Sequence, residues 1–345
     1  MPRWGPYYYN SWRGMPYALS KYANVKFYGP GFPGCVTSKE LRAGRKINVP
    51  EVIKKLYPGD YPDIVIQGDP QMGGLFYSLK NFHRARCLRA MRIIDLHNVL
   101  GRPKVYHYLQ GGNIDLALRT GSVETNTEWG KKLKETGVKV LFYPFSVDAS
   151  VFYDRELPKK YDVTNIGVLA HSPYPLRRRI HDYFTDKTPY DRKKDPGIPP
   201  RSFKQQTIVK HGIKYHYSTA RGMNYSKEIN HSKIFATGIG SIGSGGVMQK
   251  FFEVLACKTL LLTNVPRDAE TLGFKPGVNF AEIDCYPKAM SAVKDEVFLK
   301  PIRYFLSHPG KAQEIAKRGH DLVHSKHTHE IRAKEVINKI SRILR

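Results

Sequence analysis

The feature that most limits the fold is a repeated alternation of short, largely apolar runs with stretches of helical character. Residues 63–67 (DIVIQ), 138–143 (VKVLFY), 161–170 (YDVTNIGVLA) and 259–263 (TLLLT) are runs of the first kind. A strand apolar on both faces has to be covered on both faces, which is the condition of a parallel sheet with helices packed against it. The spacing predicts further strands at 25–28, 104–109 and 233–237. It predicts helices at 49–57, 127–136, from 176 towards 183, and at 247–257, 311–325 and 330–344. No internal repeat is present. Residues 145–157 read as loop and Pro158-Lys159-Lys160 as polar, so a boundary is placed there. The expectation is an α/β chain of two Rossmann-like, doubly wound domains facing a cleft. The first spans 1–155 and binds an acceptor, the second spans 156–325, and a terminal helix at 326–345 packs back on the first.

Composition narrows the function classes. Of 345 residues 41% are hydrophobic, which supplies a core and argues against global disorder. No run of about 18 apolar residues predicts a membrane span, and Met1-Pro2-Arg3-Trp4 does not open a signal peptide. Cys35, Cys87, Cys257 and Cys285 are far apart and form no C-x-x-C pair, so neither a zinc site nor a disulfide framework is expected, and a cytoplasmic location fits. Lys and Arg number 56 against 30 Asp and Glu, a formal net charge of +26. Such a field favours polyanions and phosphate-bearing ligands, although the charge is spread along the chain. Near the N-terminus Trp4, Tyr7, Tyr8, Tyr9, Trp12 and Tyr17 interleave with Arg3, Arg13 and Lys21. Such a mixture stacks on bases or sugars, or packs a helix on a sheet.

The chemistry concentrates in residues 234–282. Gly238-Ile239-Gly240-Ser241-Ile242-Gly243, followed by Ser244-Gly245-Gly246, lies between a predicted strand and a predicted helix. Backbone N–H groups in such a loop can approach phosphate, and the helix N-terminus adds favourable potential. The loop alone also reads as a dinucleotide-binding turn, the mark of an NAD(P)-dependent oxidoreductase. That fold wants an acid at the end of the next strand, which here ends Leu262-Thr263-Asn264. In the following KFFEVLAC segment only Lys250 and Glu253 are charged. Spaced i, i+3, they share a helix face, either as a solvated ion pair or as a buried carboxylate that binds a diol such as ribose.

At this point the sequence resembles a known family. KFFEVLACKTLLLTN is similar to the nucleotide-binding signature of GT-B glycosyltransferases, in the group related to spore-maturation glycosyltransferases. Tyr143-Pro144-Phe145-Ser146-Val147-Asp148 with Phe152 resembles that family's inter-domain segment. Tyr161-Asp162-Val163 with Gly167 and Arg177-Arg178-Arg179 resembles its first C-domain strand and helix. Leu272–Asn279 resembles the loop that closes on the donor, and His327-Thr328 with Arg332-Ala333 resembles the C-terminal helix motif. The resemblance covers about 200 residues, from roughly residue 140 onward, and is weak before that. It implies that Glu253 binds the ribose hydroxyls of a UDP- or GDP-sugar. Lys250, Gly167, Gly243, Gly245, Gly246, Arg177 and Arg178 would line the rest of the donor site. Two departures are visible: Gly245 stands where many relatives carry a sugar-contacting Glu, and Lys258 replaces a glycine.

The family needs no metal or other cofactor, and no D-x-D motif is present. An inverting reaction would need a base from the N-terminal part, for which Asp69, His97 and His107 are candidates; a retaining one would not. His324, His327 and His329 lack the acid or cysteine that would complete a metal site. The acceptor is left open between a polyanion such as modified DNA and an anionic glycan. A non-catalytic nucleic-acid-binding protein on a degenerate transferase fold is the third reading.

Overall fold

The computed structural model describes residues 14–29, 32, 34–68, 79–94, 103–111, 113–121, 128–167, 169, 174–186, 205–239, 246–286 and 293–345. Backbone contacts divide the chain into two compact units, residues 16–144 with 333–345, and residues 1–15 with 145–332. The aromatic N-terminal cluster lies outside the described residues, apart from Tyr17.

The N-terminal part contains helices α1 (Gly14–Ser20), α2 (Ser38–Arg42), α3 (Val49–Leu56), α4 (Pro103–Gln110) and α5 (Glu128–Glu135). Its strands are β1 (Ile47–Asn48), β2 (Ile64–Gln67), β3 (Leu79–Lys80), β4 (Leu88–Ile93), β5 (Leu116–Arg119) and β6 (Lys139–Phe142). β2, β4, β5 and β6 form a parallel sheet in that order, and β1 pairs with β3. Met91, Ile93, Ala117, Leu109 and Leu133 pack together in its core. Two expectations are corrected. Residues 104–109 are helix, not strand: Pro103 opens α4, its fixed φ suiting the first helical position. Residues 25–28 form no strand.

The second unit contains β7 (Tyr161–Ile166), α6 (Pro175–Phe184), β8 (Gln206–Lys210), β9 (Ile213–Ser218), α7 (Gly222–Asn230), β10 (Ser232–Ala236), α8 (Gln249–Ala256), β11 (Leu260–Thr263) and β12 (Ala281–Glu282). Then follow α9 (Asp295–Ser307), α10 (Pro309–Lys326) and α11 (His329–Leu344), the last running on past the division point. The sheet order is β12-β11-β10-β7-β9-β8, parallel except for β8. Every residue of β11 is buried, as its unbroken apolar run requires. Leu176, Ile180 and Phe184 of α6 and Phe298 and Ile302 of α9 join Val163, Tyr215 and Ile234 in the core.

The segments that carry the family resemblance also meet one another in space. Val147 forms a β-bridge with Thr328, so the Pro144–Asp148 segment and the His327-Thr328 motif lie side by side. The His327 imidazole donates from Nε2 to the Leu272 carbonyl (2.8 Å) and accepts at Nδ1 from Arg332 (2.8 Å). Burial first, and Arg332 and Lys326 after it, pull its pKa down to about 4, so it is neutral. Phe274 stacks on His327 and meets Phe251 and Phe252 edge-on, which seats the 272–279 loop against α8.

Lys258, standing where the family carries glycine, has φ +52° just beyond the C-cap of α8. A non-glycine residue in the left-handed region costs about 1 kcal/mol. The offsetting ion pair, Lys258 Nζ to Asp154 at 3.1 Å, is solvent-screened and contributes little. Lys258→Gly is therefore expected to raise Tm by about 2–4 °C, measured by thermal unfolding; a fall would show that the ion pair outweighs the backbone.

Candidate functional site

β7 and β10 are neighbours, yet the chain leaves β7 towards β9 and leaves β10 towards β11. At this reversal of strand order the connections diverge beyond the C-terminal strand ends, which is where doubly wound sheets receive ligands. The residues that gather here come from six elements or the turns that follow them.

Gly167 directly follows β7 with φ +116°, a conformation closed to ordinary side chains. A Cβ at this position would stand 3.4 Å from Lys250 Nζ and 3.8 Å from Arg177 Nη1, so backbone, ammonium and guanidinium converge. The Tyr217 hydroxyl, from β9, donates to the Gly167 carbonyl at 2.9 Å. Gly238, after β10, packs tightly on the first turn of α6: a Cβ would stand 2.8 Å from that of Leu176. This contact seats Arg177, the third residue of α6.

Arg177 is 3% exposed. Its Nε donates to Thr237 Oγ1 (2.9 Å) and its guanidinium lies 4.0 Å from the centre of the Tyr174 ring. Burial holds it below the usual arginine value. A cation in the first turn of a helix also opposes the helix dipole, so two unfavourable terms act on one side chain. Lys250 adds a third: its Nζ donates to the Tyr225 hydroxyl (3.1 Å) and faces the rings of Tyr225 and Phe235 at 4.9 and 5.4 Å. Desolvation above all, then repulsion by Arg177, pushes its pKa down to about 7, against the attraction of Glu253.

Glu253 is 6% exposed. Burial first, and the nearby Glu253 carboxylate after it, hold the Tyr225 phenol well above its ordinary pKa. The alternative of a solvated Lys250–Glu253 surface pair is thereby corrected: the carboxylate is buried, and the ammonium reaches the Tyr225 hydroxyl. Two cations, a carboxylate and a helix N-terminus at one set of strand ends can hold a ligand that carries both phosphate and a hydroxyl pair.

The other predicted residues divide. Arg178 is adjacent to Arg177 but paired with Asp182 at 2.7 Å, the two side chains 5% and 0% exposed. It anchors α6 from within. Gly246 is described and partly buried; Gly243 and Gly245 lie outside the described residues, as do Asp69 and His97. His107 is exposed on α4 of the N-terminal unit. Asn264, where a dinucleotide-binding sheet would carry its acid, accepts instead from the Ile239 N–H at 2.8 Å and ties down the start of the glycine-rich loop. Among the described residues no group of three or more His, Cys, Asp or Glu side chains is arranged to hold a metal ion. No described helix is long and apolar enough to cross a membrane.

Sequence reasoning missed Tyr225, Tyr217, Thr237 and Tyr174. Tyr225 sits in GMNYSKEIN, which carries no motif; its place follows only from α7 returning the chain from β9 to β10 beside α8.

The fold matches that of known proteins. Residues 201–338 match the family model described as glycosyl transferase-like. Sucrose-phosphate synthase from Thermosynechococcus elongatus superimposes with a TM-score of 0.59 at 11% identity, over 96% of this chain and 92% of that one. The chain has the GT-B fold. A glycosyltransferase from Rickettsia africae superimposes on this GT-B chain with a TM-score of 0.56 at 14% identity, covering 86% of this chain and 80% of that one. HepE from Anabaena, solved with UDP-glucose, gives 0.52 at 11% identity over 85% and 82%. No curated protein matches the chain in sequence.

Proposed function

We propose that the protein is a glycosyltransferase that moves a sugar from a nucleoside-diphosphate sugar to an acceptor, with the donor bound by the second unit at the β7–β10 strand ends. The observation that carries this reading is the buried carboxylate of Glu253 beside the ammonium of Lys250 and the guanidinium of Arg177, at the switch point of the sheet. Glu253 would accept from the ribose diol, and the two cations and the first turn of α6 would hold the diphosphate. As the glycosidic bond breaks, negative charge grows on the departing nucleoside diphosphate, and cations already in place stabilise it without reorganisation. The glycosyl transferase-like match and the UDP-glucose complex of HepE support this donor class, a UDP- or GDP-sugar.

The acceptor is assigned to the N-terminal unit, with Asp69, His97 and His107 as candidate bases for an inverting reaction. The formal net charge of +26 suits a polyanionic acceptor such as DNA bearing a modified base. Binding to duplex DNA is then expected to weaken steeply with salt; no affinity even at low salt would remove DNA from consideration.

The donor reading is tested by titrating the purified protein with UDP, GDP and NADH. Binding of one nucleoside diphosphate and slow hydrolysis of its sugar conjugates are expected. Tight NADH binding without either diphosphate would restore the oxidoreductase reading of residues 238–243.

A further inference from the structure

A cavity of about 430 Å3 opens in the second unit between the residue before β8 (Gln205), the turn after β9 (Thr219, Ala220) and one face of α7 (Asn224, Lys227, Glu228). Its position ties it to the donor residues. β9 lies next to β7, and the Gly167 N–H donates to the Ser218 carbonyl at the end of β9 (3.0 Å). α7 serves both places: Tyr225 meets Lys250 on one side, while Asn224 and Glu228, spaced i, i+4, line the cavity on another.

Glu228 is costly where it stands. It lies in the last turn of α7, where the helix dipole opposes a negative charge, and its side chain is only 16% exposed. Ser218 donates its hydroxyl proton to Oε2. That hydroxyl accepts from the Ala220 N–H at 2.8 Å, so its own proton is left for the carboxylate. Behind it His216 brings Nε2 to 3.7 Å from the same oxygen, too far for a hydrogen bond. The His216 ring is itself fixed, bonded through Nδ1 to Thr207 (2.9 Å) and stacked on Tyr161. All of this holds Oε2. Among the described residues Oε1 carries no hydrogen bond or ion pair. A largely buried carboxylate, anchored at one oxygen and open at the other on a cavity wall, is an acceptor set for a ligand.

We propose that this cavity takes the nucleobase of the donor and that Glu228 selects guanine in it, so that the sugar is delivered from a GDP-sugar. This rests on the donor-site reading above. Guanine presents two parallel donors, N1–H and the exocyclic N2–H2, beside the O6 acceptor. A carboxylate accepts both donors at once, and Ser218 occupies only one of its roughly four lone-pair sites. Asn224 and Lys227 supply donors on the same wall for O6. Uracil offers a single N–H between two carbonyl oxygens, so Glu228 would gain one bond and meet a lone pair on either side. Facing acceptors in place of water, the carboxylate would lose more than the missing bond. UDP is then held by its ribose and diphosphate alone.

The test is titration calorimetry of the full chain with GDP, inosine diphosphate and UDP, on the wild type and on Glu228→Gln, with circular dichroism to establish the fold. GDP is expected to bind roughly ten- to a hundredfold more tightly than UDP, the discrimination of one good bidentate contact to a base. Inosine diphosphate lacks only the exocyclic amine and is expected between them. Glu228→Gln keeps one acceptor and replaces the other with a donor, so it should lose the GDP advantage while UDP binds no more weakly than before. A merely structural role for Glu228 would weaken all three alike. If the variant does not fold, the wild-type order of the three diphosphates decides by itself. UDP binding as tightly as GDP, inosine diphosphate matching GDP, equal weakening of all three in Glu228→Gln, or a GDP advantage that survives there overturns the assignment and leaves the donor site standing. A wild-type chain that binds none of the three overturns the donor site and the guanine reading with it.

Discussion

Glu253→Ala is expected to weaken nucleoside-diphosphate binding by at least about a hundredfold and to abolish donor hydrolysis, measured by calorimetry and by release of free sugar. A carboxylate that accepts from two ribose hydroxyls makes two charge-assisted hydrogen bonds, each contributing about 1.5–3 kcal/mol. Even the lower figure, doubled, exceeds the 2.7 kcal/mol or so of a hundredfold change. The loss is specific to the diol. Affinity for the 2′,3′-dideoxy analogue should be weak in the wild type and scarcely changed in the variant. Glu253→Gln keeps the shape and one acceptor oxygen but loses the charge, and should fall between the two. Circular dichroism of the variant establishes that the unit stays folded, since removing the carboxylate leaves Lys250 and Arg177 buried without it. Undiminished UDP and GDP binding by Glu253→Ala would place the nucleotide elsewhere and remove the reason for assigning this site.

That this residue could be singled out from sequence reflects how its helix is built. Phe251, Phe252, Val254, Leu255 and Ala256 are all fully buried, so Glu253 could not reach bulk water without unseating them. The strand β11 was legible for a related reason: an unbroken apolar run bounded by polar residues leaves few alternatives. The run at 104–109 (KVYHYL) misled because its alternating aromatic and polar residues fit period 2, while the decisive signal was the proline at position 103. β4 (LRAMRI) and β9 (IKYHYS) were not anticipated, since charged and aromatic residues interrupt the apolar pattern and only the neighbouring strands make them interior.

The site was legible one element at a time. Lys250 and Glu253 declared themselves by sharing a helix face, and Arg177 by opening a helix after a strand. Their convergence could not be read, because it depends on which strands are neighbours. The pair Arg177-Arg178 shows the limit most clearly. The two adjacent arginines read alike in sequence, yet a helical turn sends one to Gly167 and Lys250 and the other to Asp182. The residue four positions on decides: Asp182 follows Arg178 at i+4 and claims it, whereas Arg177 has His181 there.

Lys250→Met should separate stability from binding, because the same burial that costs the folded chain favours an anionic ligand. In an unfolded chain the lysine keeps its proton to about pH 10.4, but in the folded chain it releases it at about 7. Between these values the unfolded state binds more protons, so this contribution to stability rises with pH. Below about pH 7 both states are charged and the full cost of burying the ammonium is carried. An apolar side chain of similar length removes that cost, and the ligand-free variant is expected to melt about 3 °C or more above the wild type at neutral pH. The gap should narrow as the pH approaches 10. Binding moves the other way. A diphosphate supplies the charge that burial withholds, so it draws a proton onto Lys250, and UDP affinity of the wild type should fall as pH rises through 7. In Lys250→Met that pH dependence should vanish, with affinity reduced roughly a hundredfold, the loss of a charge-assisted bond in a desolvated site. Melting curves with and without UDP at two pH values read both effects in one experiment. A variant less stable than the wild type, or a wild-type affinity flat across neutral pH, would mean that Lys250 is an ordinary core-anchoring lysine and that Arg177 alone faces the phosphates.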